Sequence, residues 1–432
     1  MTQKFLSTCV TILLACLLTE SVKAQNPGDA NYLPLYNSGN YSKALEIIIK
    51  NLDDFYITRV DDKRIPTGFI TIKEAAKEID LKTIFRTRKA EHFFIEDNIV
   101  ISSLHLYAAR CYFKLSNYDN ALNHYVQALR YKKVEENKDD VIYYEIAQVF
   151  RKTNYFTAYI NHLETASLLN KNNVSYSLEL GTVLYRTAMK KQAIHHLERY
   201  IKGTEDTISP DLYLMLGNLY EDTGRYLETE KYYMKYLEKM PDDGYKQFAL
   251  GHIAYYRTGN YPLALASLDK ALVSLPKNEI YRISKSYEYK ADIALSELDF
   301  KNALQFYSET IKYQTRISED INNKKAELAA LNLKIRNIKS ALLREENFEQ
   351  YTEYELLLDA KGKKESEIRQ IENEYTKLNA GKVRWNMAYS YERLGDYTGA
   401  IKYYRDVISY DYNANQARKK IINLELKIKR GY

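Results

Sequence analysis

The clearest order in the chain lies between Asp211 and Pro276, where apolar and small residues recur in two consecutive segments. The first reads Leu216-Gly217-x2-Tyr220, then Thr229-x3-Tyr233, then Pro241. The second follows 34 to 35 residues later as Leu250-Gly251-x2-Ala254, Ala264-x3-Leu268 and Pro276. Spacings of three and four gather side chains on one face of an α-helix. Gly224 and Gly259-Asn260 divide each segment into two helices, since Gly and Asn tolerate the left-handed conformation that ends a helix. Tyr226 and Tyr261 then open the second helix, and Pro241 and Pro276 stop it, lacking the donor a continuing helix needs. Gly217 and Gly251 are expected where the paired helices cross closely, against the small residues Thr229 and Ala264.

The same marks return with decay elsewhere. Ser116-Asn117-Tyr118 with Ala121, Tyr125 and Ala128 is one unit, and Asn154-Tyr155 with Ala158 is a weaker one. Leu180-Gly181-x2-Leu184 with Ala193 and Leu197 is a third, and Asp299-Phe300 with Ala303 and Tyr307 follows the strong pair. From Ala121 to Ala303 the small positions are 35–39 residues apart. Gly395-Asp396-Tyr397 with Ala400 and Tyr404 closes the series, and Gly39-Asn40-Tyr41 with Ala44 is a partial opening unit whose first helix contains Pro34. Terminal repeats are often atypical because they cap an array.

Leu-Gly-x2-Tyr, Ala-x3-Phe and Pro at a period near 34 resemble the tetratricopeptide-repeat (TPR) family. The resemblance is strong over Pro210–Pro241 and Gly244–Pro276 and weaker over most of the chain. It implies an all-α, right-handed superhelical solenoid in which each unit packs on its neighbours.

Between Ala303 and Ala400 the period changes. Ile317, Ile321, Leu328, Leu331, Ile335, Ile338 and Leu342 fall on a and d of a heptad, with Lys324 the polar exception. Tyr354, Leu357, Ile368, Ile371, Tyr375 and Leu378 do the same in a second arm, weakened by Lys361, Gly362 and Lys364. The two arms are out of phase by five residues, which no stutter or stammer supplies. This predicts an antiparallel coiled-coil hairpin turning near Glu346–Thr352, each arm reaching roughly 40 Å. The expected organisation is a signal segment at 1–24, an atypical repeat with a charged insertion at 25–101, repeats over 102–311, the hairpin over 312–380, a last repeat over 381–413 and a capping helix over 414–432. That last helix would bury Ile421, Ile422, Leu424 and Ile428.

Residues 52–100 do not follow the repeat. Arg59–Phe69, with Pro66 and Gly68, reads as a loop, and Lys73–Asp97 has helical periodicity. Lys82, Arg86, Arg88 and Lys89 form a basic patch ahead of the acidic Glu91, Glu96 and Asp97. This is a solvated charged face, or a docking surface of the kind long insertions carry.

At the start of the chain, Lys4, the apolar run Cys9–Leu18 and Val22-Lys23-Ala24 read as a secretory signal cleaved before Gln25. The alternative is a lipoprotein signal acylated at Cys16, although Leu17-Leu18 continues apolar where such signals turn polar. An exported, periplasmic protein is expected, with an outer-membrane lipoprotein or a secreted protein as alternatives. Of three Cys only Cys111 follows the signal, so no intramolecular disulfide is expected. The net charge of +6 over 432 residues is too mild and diffuse to argue for nucleic acid.

No phosphate loop, nucleophile elbow or His-Glu-x-x-His is present. His195-His196 diverge on a helix, and His92/Glu96 lack a third ligand, so neither a metal, a cofactor nor an enzymatic role is expected. The family resemblance instead implies a groove lined by the first helix of each repeat. Carried over by position, its candidates are Arg110, Phe113, Lys114, Phe150, Arg151, Tyr185 and Arg186, then Asn218, His252, Tyr255 and Tyr256. Leu106 and Arg110 stand where carboxylate-clamping relatives have Lys and Asn, so chaperone-tail recognition is not implied. Arg110, Lys114, Arg151 and Arg186 suggest an acidic or mixed partner segment. The expected function is a protein-binding scaffold of the bacterial envelope, or alternatively a structural part of a periplasmic flagellar or secretion machine.

Overall fold

The structure, a computed structural model, describes residues 31–59, 71–77, 95–131, 139–204, 207–343 and 348–431. The signal segment with Cys16, the loop after Arg59 and the side chains of the 82–97 charge patches lie outside them. The described residues are helical, without strands. They divide into two compact units, Met1–Asp206 and Thr207–Tyr432.

The first unit opens with the partial repeat, α1 (Leu33–Asn37) and α2 (Tyr41–Arg59), followed by the short α3 (Ile72–Ala75). Three helical pairs follow: α4 (Ile95–Lys114) with α5 (Tyr118–Tyr131), α6 (Asp139–Lys152) with α7 (Phe156–Leu169), and α8 (Val174–Arg186) with α9 (Lys190–Gly203). Each pair turns through a left-handed residue, but here it is Ser116 (φ 61°), Asn154 (φ 63°) and Ala188 (φ 59°) rather than glycine.

The second unit pairs α10 (Pro210–Asp222) with α11 (Tyr226–Lys239) and α12 (Gly244–Ile253) with α13 (Tyr261–Ser274). Gly224 (φ 74°) and Gly259 (φ 69°) supply the turns as expected. A Cβ on Gly217 would lie 2.3 Å from Tyr233 Cδ1, and one on Gly251 would lie 2.7 Å from Leu268 Cγ. These glycines are therefore close helix crossings, each against the fourth residue after Thr229 or Ala264. Gly251 is eight residues before its turn and Gly217 only seven. The extra residue is taken up as a π-helical turn over Ala254–Thr258.

Helices α14 (Ile280–Ser296) and α15 (Phe300–Leu342) form the next pair, turning at Leu298 (φ 62°). Helix α15 lacks Gly and Pro, so it does not stop after one repeat length and continues for 43 residues. Helix α16 (Phe348–Thr376) runs back along it: Lys324 meets Glu367 at 2.7 Å and Glu327 meets Lys364 at 2.6 Å. Lys324 and Lys364, polar exceptions in the heptads, are thus tied by ion pairs across the seam. Glu349–Thr352, expected in the turn, are instead part of the second arm, whose helix begins at Phe348 and meets no breaker there.

Helix α17 (Ala380–Arg393) packs back on α15, with Arg384 Nη1 3.1 Å from Gln314 Oε1. It pairs with α18 (Tyr397–Ser409), and α19 (Ala414–Lys429) covers that pair through Ala417 and Leu424. Ile422 and Ile428, expected in this interface, are exposed. Ile422 falls outside the three- and four-residue spacing that carries Ala417, Ile421 and Leu424 on one face, whereas Ile428 continues that spacing in the helix's last turn.

Candidate functional site

Polar residues on the first helices bond from one repeat to the next. At three junctions the residue six before one left-handed turn bonds the residue nine before the next repeat's turn: Arg110–Glu145, Gln148–Glu179 and Asp292–Asn386. In the first unit Arg110 grips Glu145, with Nε 2.9 and 3.0 Å from the two carboxylate oxygens and Nη2 2.7 Å from Oε1. Gln148 Nε2 likewise donates to Glu179 Oε1 at 2.9 Å, joined there by Arg151 Nη1 at 3.2 Å and the Tyr159 hydroxyl at 2.6 Å.

These contacts change the charge reading of the first unit. Arg110 and Arg151 are neutralised by carboxylates of the neighbouring repeat, so they stitch repeats together and do not form a free cationic stripe. Phe150 is fully buried and stacked on His162 at 5.2 Å, which removes it from any open face. Phe113 is half-buried, edge-on to Tyr118, and Tyr185 is also half-buried. Lys114 and Arg186 are exposed at the helix ends.

In the second unit the same ladder becomes aromatic. Asn218 accepts from the Tyr233 hydroxyl at 2.8 Å and from Lys246 Nζ at 2.9 Å. His252 Nδ1 lies 3.1 Å from the Tyr289 hydroxyl. Asp292, six before Leu298, bonds Asn386, nine before Gly395, at 3.2 Å. It also accepts from Tyr255 at 3.0 Å, Tyr307 at 2.5 Å and Lys382 at 2.8 Å.

The π turn brings Tyr255 and Tyr256 onto this network together. Tyr255 stacks on Tyr289 with centroids 5.0 Å apart, and Tyr256 stands edge-on to both at 4.8 and 5.4 Å. Tyr256 remains 53% exposed, so the cluster has one open ring. On the same helix as Tyr289, Lys285 and Glu288 form a buried ion pair at 2.8 Å. Burial pushes the Glu288 carboxyl above its ordinary range, against the pull of Lys285. Burial and the Asp292 carboxylate both raise the Tyr255 hydroxyl.

The structure therefore joins His252, Tyr255 and Tyr256 in one patch and leaves Asn218 in a separate polar contact. Tyr289, Asp292, Lys285, Glu288 and Lys382 were missed from sequence. For Tyr289 and Asp292, nine and six residues before the turn at Leu298, that spacing was the available signal; Lys285, Glu288 and Lys382 fall outside it. Among the described residues no group of three or more His, Cys, Asp and Glu could hold a metal ion, and no helix is long and apolar enough to cross a membrane.

Paired helices with a small-residue crossing, a left-handed turn and a stitched first-helix face define a helical-repeat scaffold. The tetratricopeptide repeat model matches residues 210–238 and 381–413. Those two segments are tetratricopeptide repeats, and the helical pairs around them share their turn and crossing pattern. A TPR repeat-containing protein of Methanocaldococcus jannaschii is 24% identical over 207 residues, 48% of this chain and 31% of that relative's length. Among solved structures, the C-terminal part of a TPR repeat-containing protein from Cytophaga hutchinsonii is 15% identical, with a TM-score of 0.33. That alignment covers 65% of this chain and 92% of the other. YrrB, described as a TPR protein with an unusual peptide-binding site, is 22% identical with a TM-score of 0.33. There the coverage is 42% of this chain and 91% of YrrB.

Proposed function

We propose that this chain is a non-enzymatic scaffold that holds a protein partner against the first-helix face of its second unit. The observation that carries the reading is Tyr256, half exposed on a platform of Tyr255, Tyr289 and His252, in which the Tyr255 and Tyr289 hydroxyls and His252 Nδ1 are hydrogen-bonded. An exposed ring on a hydrogen-bonded, packed base presents apolar area at little entropic cost. An extended segment with an apolar or basic side chain would stack on that ring. The N-terminal apolar segment supports export to a bacterial envelope, with cleavage before Gln25 or acylation of Cys16 as its two forms.

The test is cross-linked capture from the native envelope with the tagged chain and its Tyr256→Ala variant. Loss of the captured partner with an unchanged melting curve supports the reading. Undiminished capture would move recognition away from this patch. Mass spectrometry of the N-terminus distinguishes a start at Gln25 from an acylated Cys16.

A further inference from the structure

The hairpin formed by α15 and α16 has a face that its own packing does not use. The arms meet through Ile335, Ile338 and Leu342 on one side and Tyr354 and Leu357 on the other, all at least half-buried. One residue beyond those seams lie Arg336, Lys339 and Leu343 on the first arm, and Glu355 and Leu358 on the second; Tyr351 likewise follows the half-buried Gln350. Spacings of three and four align each set along one stripe of its helix. An antiparallel pair has a local two-fold axis perpendicular to the plane of its arms. Positions displaced equally from the two seams therefore emerge on the same side of the hairpin.

That side is apolar at its tip and charged behind it. Leu343 is 81% exposed, Tyr351 53% and Leu358 41%. On this face the distal first arm carries the cations Arg336 and Lys339 and the second arm the anion Glu355, whereas Lys334, Glu349 and Glu353 each precede a seam residue and lie on the other side. Neither Arg336 nor Lys339 makes an ion pair among the described residues. Nearer the base, by contrast, the arms are bridged by Lys324–Glu367, Lys325–Glu372 and Lys364–Glu327. Glu355 is engaged by the Tyr351 hydroxyl on its own helix. Farther down the same stripe, a Cβ on Gly362 would meet no atom within 4 Å. A glycine inside a helix costs about 1 kcal/mol relative to Ala, and here it leaves room for a close approach.

We propose that this face docks a second copy of the chain. A basic arm beside an acidic arm is self-complementary when the two-fold axis runs along the hairpin, because each basic arm then lies on the other copy's acidic arm. Lys339 of each copy faces Glu355 of the other, and Leu343 covers Tyr351. An axis across the hairpin sets like arms against each other and is disfavoured. The inference is independent of what the repeats bind.

Sedimentation velocity on the 432-residue chain tests it, from low to high micromolar concentration and in rising salt. A dimer that weakens with salt is expected. Lys339→Glu and Glu355→Lys should each weaken it about tenfold, since either reversal affects two symmetry-related contacts. Mixing the two variants should restore association, because every Lys–Glu contact is re-formed between unlike chains. Leu343→Asp should abolish the dimer. Circular dichroism of each variant separates loss of docking from loss of helix, and rescue by mixing requires both variants to be folded. A chain that stays monomeric at about 100 µM in low salt would overturn the proposal, as would a dimer indifferent to the reversals.

Discussion

Lys382 Nζ lies 2.8 Å from Asp292 Oδ2 although 90 residues and a helical hairpin separate them in sequence. Helix α17 thus takes the place beside α14 and α15 that the next repeat would occupy if no hairpin had been inserted. Asp292 also receives Tyr255, Tyr307 and Asn386, so it is the node through which the last repeat joins the preceding ones. Replacing it by Ala strands a partly buried ammonium and three donors. Asp292→Ala is expected to cost the second unit about 2–4 kcal/mol and Tyr307→Phe about 1 kcal/mol, read from urea unfolding midpoints.

Gly217 has no room for a side chain. Leu at this position meets the Tyr233 ring, which is fully buried and held through its hydroxyl to Asn218 and Glu221. Gly217→Leu should therefore destabilise by about 1–3 kcal/mol. An unchanged melting curve would show that the helices separate there more easily than the contact implies.

Leu298 offers the opposite case. It occupies a left-handed turn with φ 62° while 64% exposed, so its side chain contributes strain and little packing. The left-handed conformation costs an L-residue about 1–2 kcal/mol, of which glycine's extra unfolded-state entropy returns about 0.5–1. Leu298→Gly is expected to raise stability by roughly 0.5–1 kcal/mol, visible as a higher melting temperature. Gly224→Ala, at φ 74°, should lower it by a similar amount.

Acid should weaken the first unit. His105 and His124 meet through their Nδ1 atoms at 2.9 Å, and His105 Nε2 lies 3.2 Å from the Tyr56 hydroxyl, which donates onward to Tyr131. With His105 neutral, the chain runs from His124 Nδ1–H through His105 to Tyr56 and on to Tyr131. Burial holds His105 well below its ordinary range and lowers His124 and His162 to about 4. Folded values below the unfolded 6.5 mean the unfolded chain binds more protons, so stability is full above 6.5 and falls as pH drops toward 4. At pH 5 each histidine should subtract roughly 1–2 kcal/mol. Thermal melts from pH 7 to 5 check the slope, and His162→Phe, which keeps the stack on Phe150, should flatten it.

The two arginines can be separated by what they touch. Arg110 is held by Glu145, whereas Arg186 lies exposed at the end of α8. Arg110→Ala should cost about 1–3 kcal/mol by leaving a part-buried carboxylate short of donors. Arg186→Ala should fall within about 0.5 kcal/mol of wild type. Equal shifts in the two melting curves would contradict the stitching role.

Chain sequence alone determined the repeating helical pair. Gly217 and Gly251 mark crossings, Gly224 and Gly259 mark turns, and Pro241 and Pro276 mark ends, because each acts through its own backbone or its own missing Cβ. Such local effects do not need a partner to be legible. Tertiary structure decided which polar residues are available. Arg110, Arg151 and Tyr255 look alike in sequence to any exposed residue of an amphipathic helix, yet each meets a carboxylate 28 to 37 residues away. That pairing depends on how one repeat is rotated onto the next. Tyr256 stayed open and Phe150 was buried for the same reason: a helix face acquires its role from the surface packed against it.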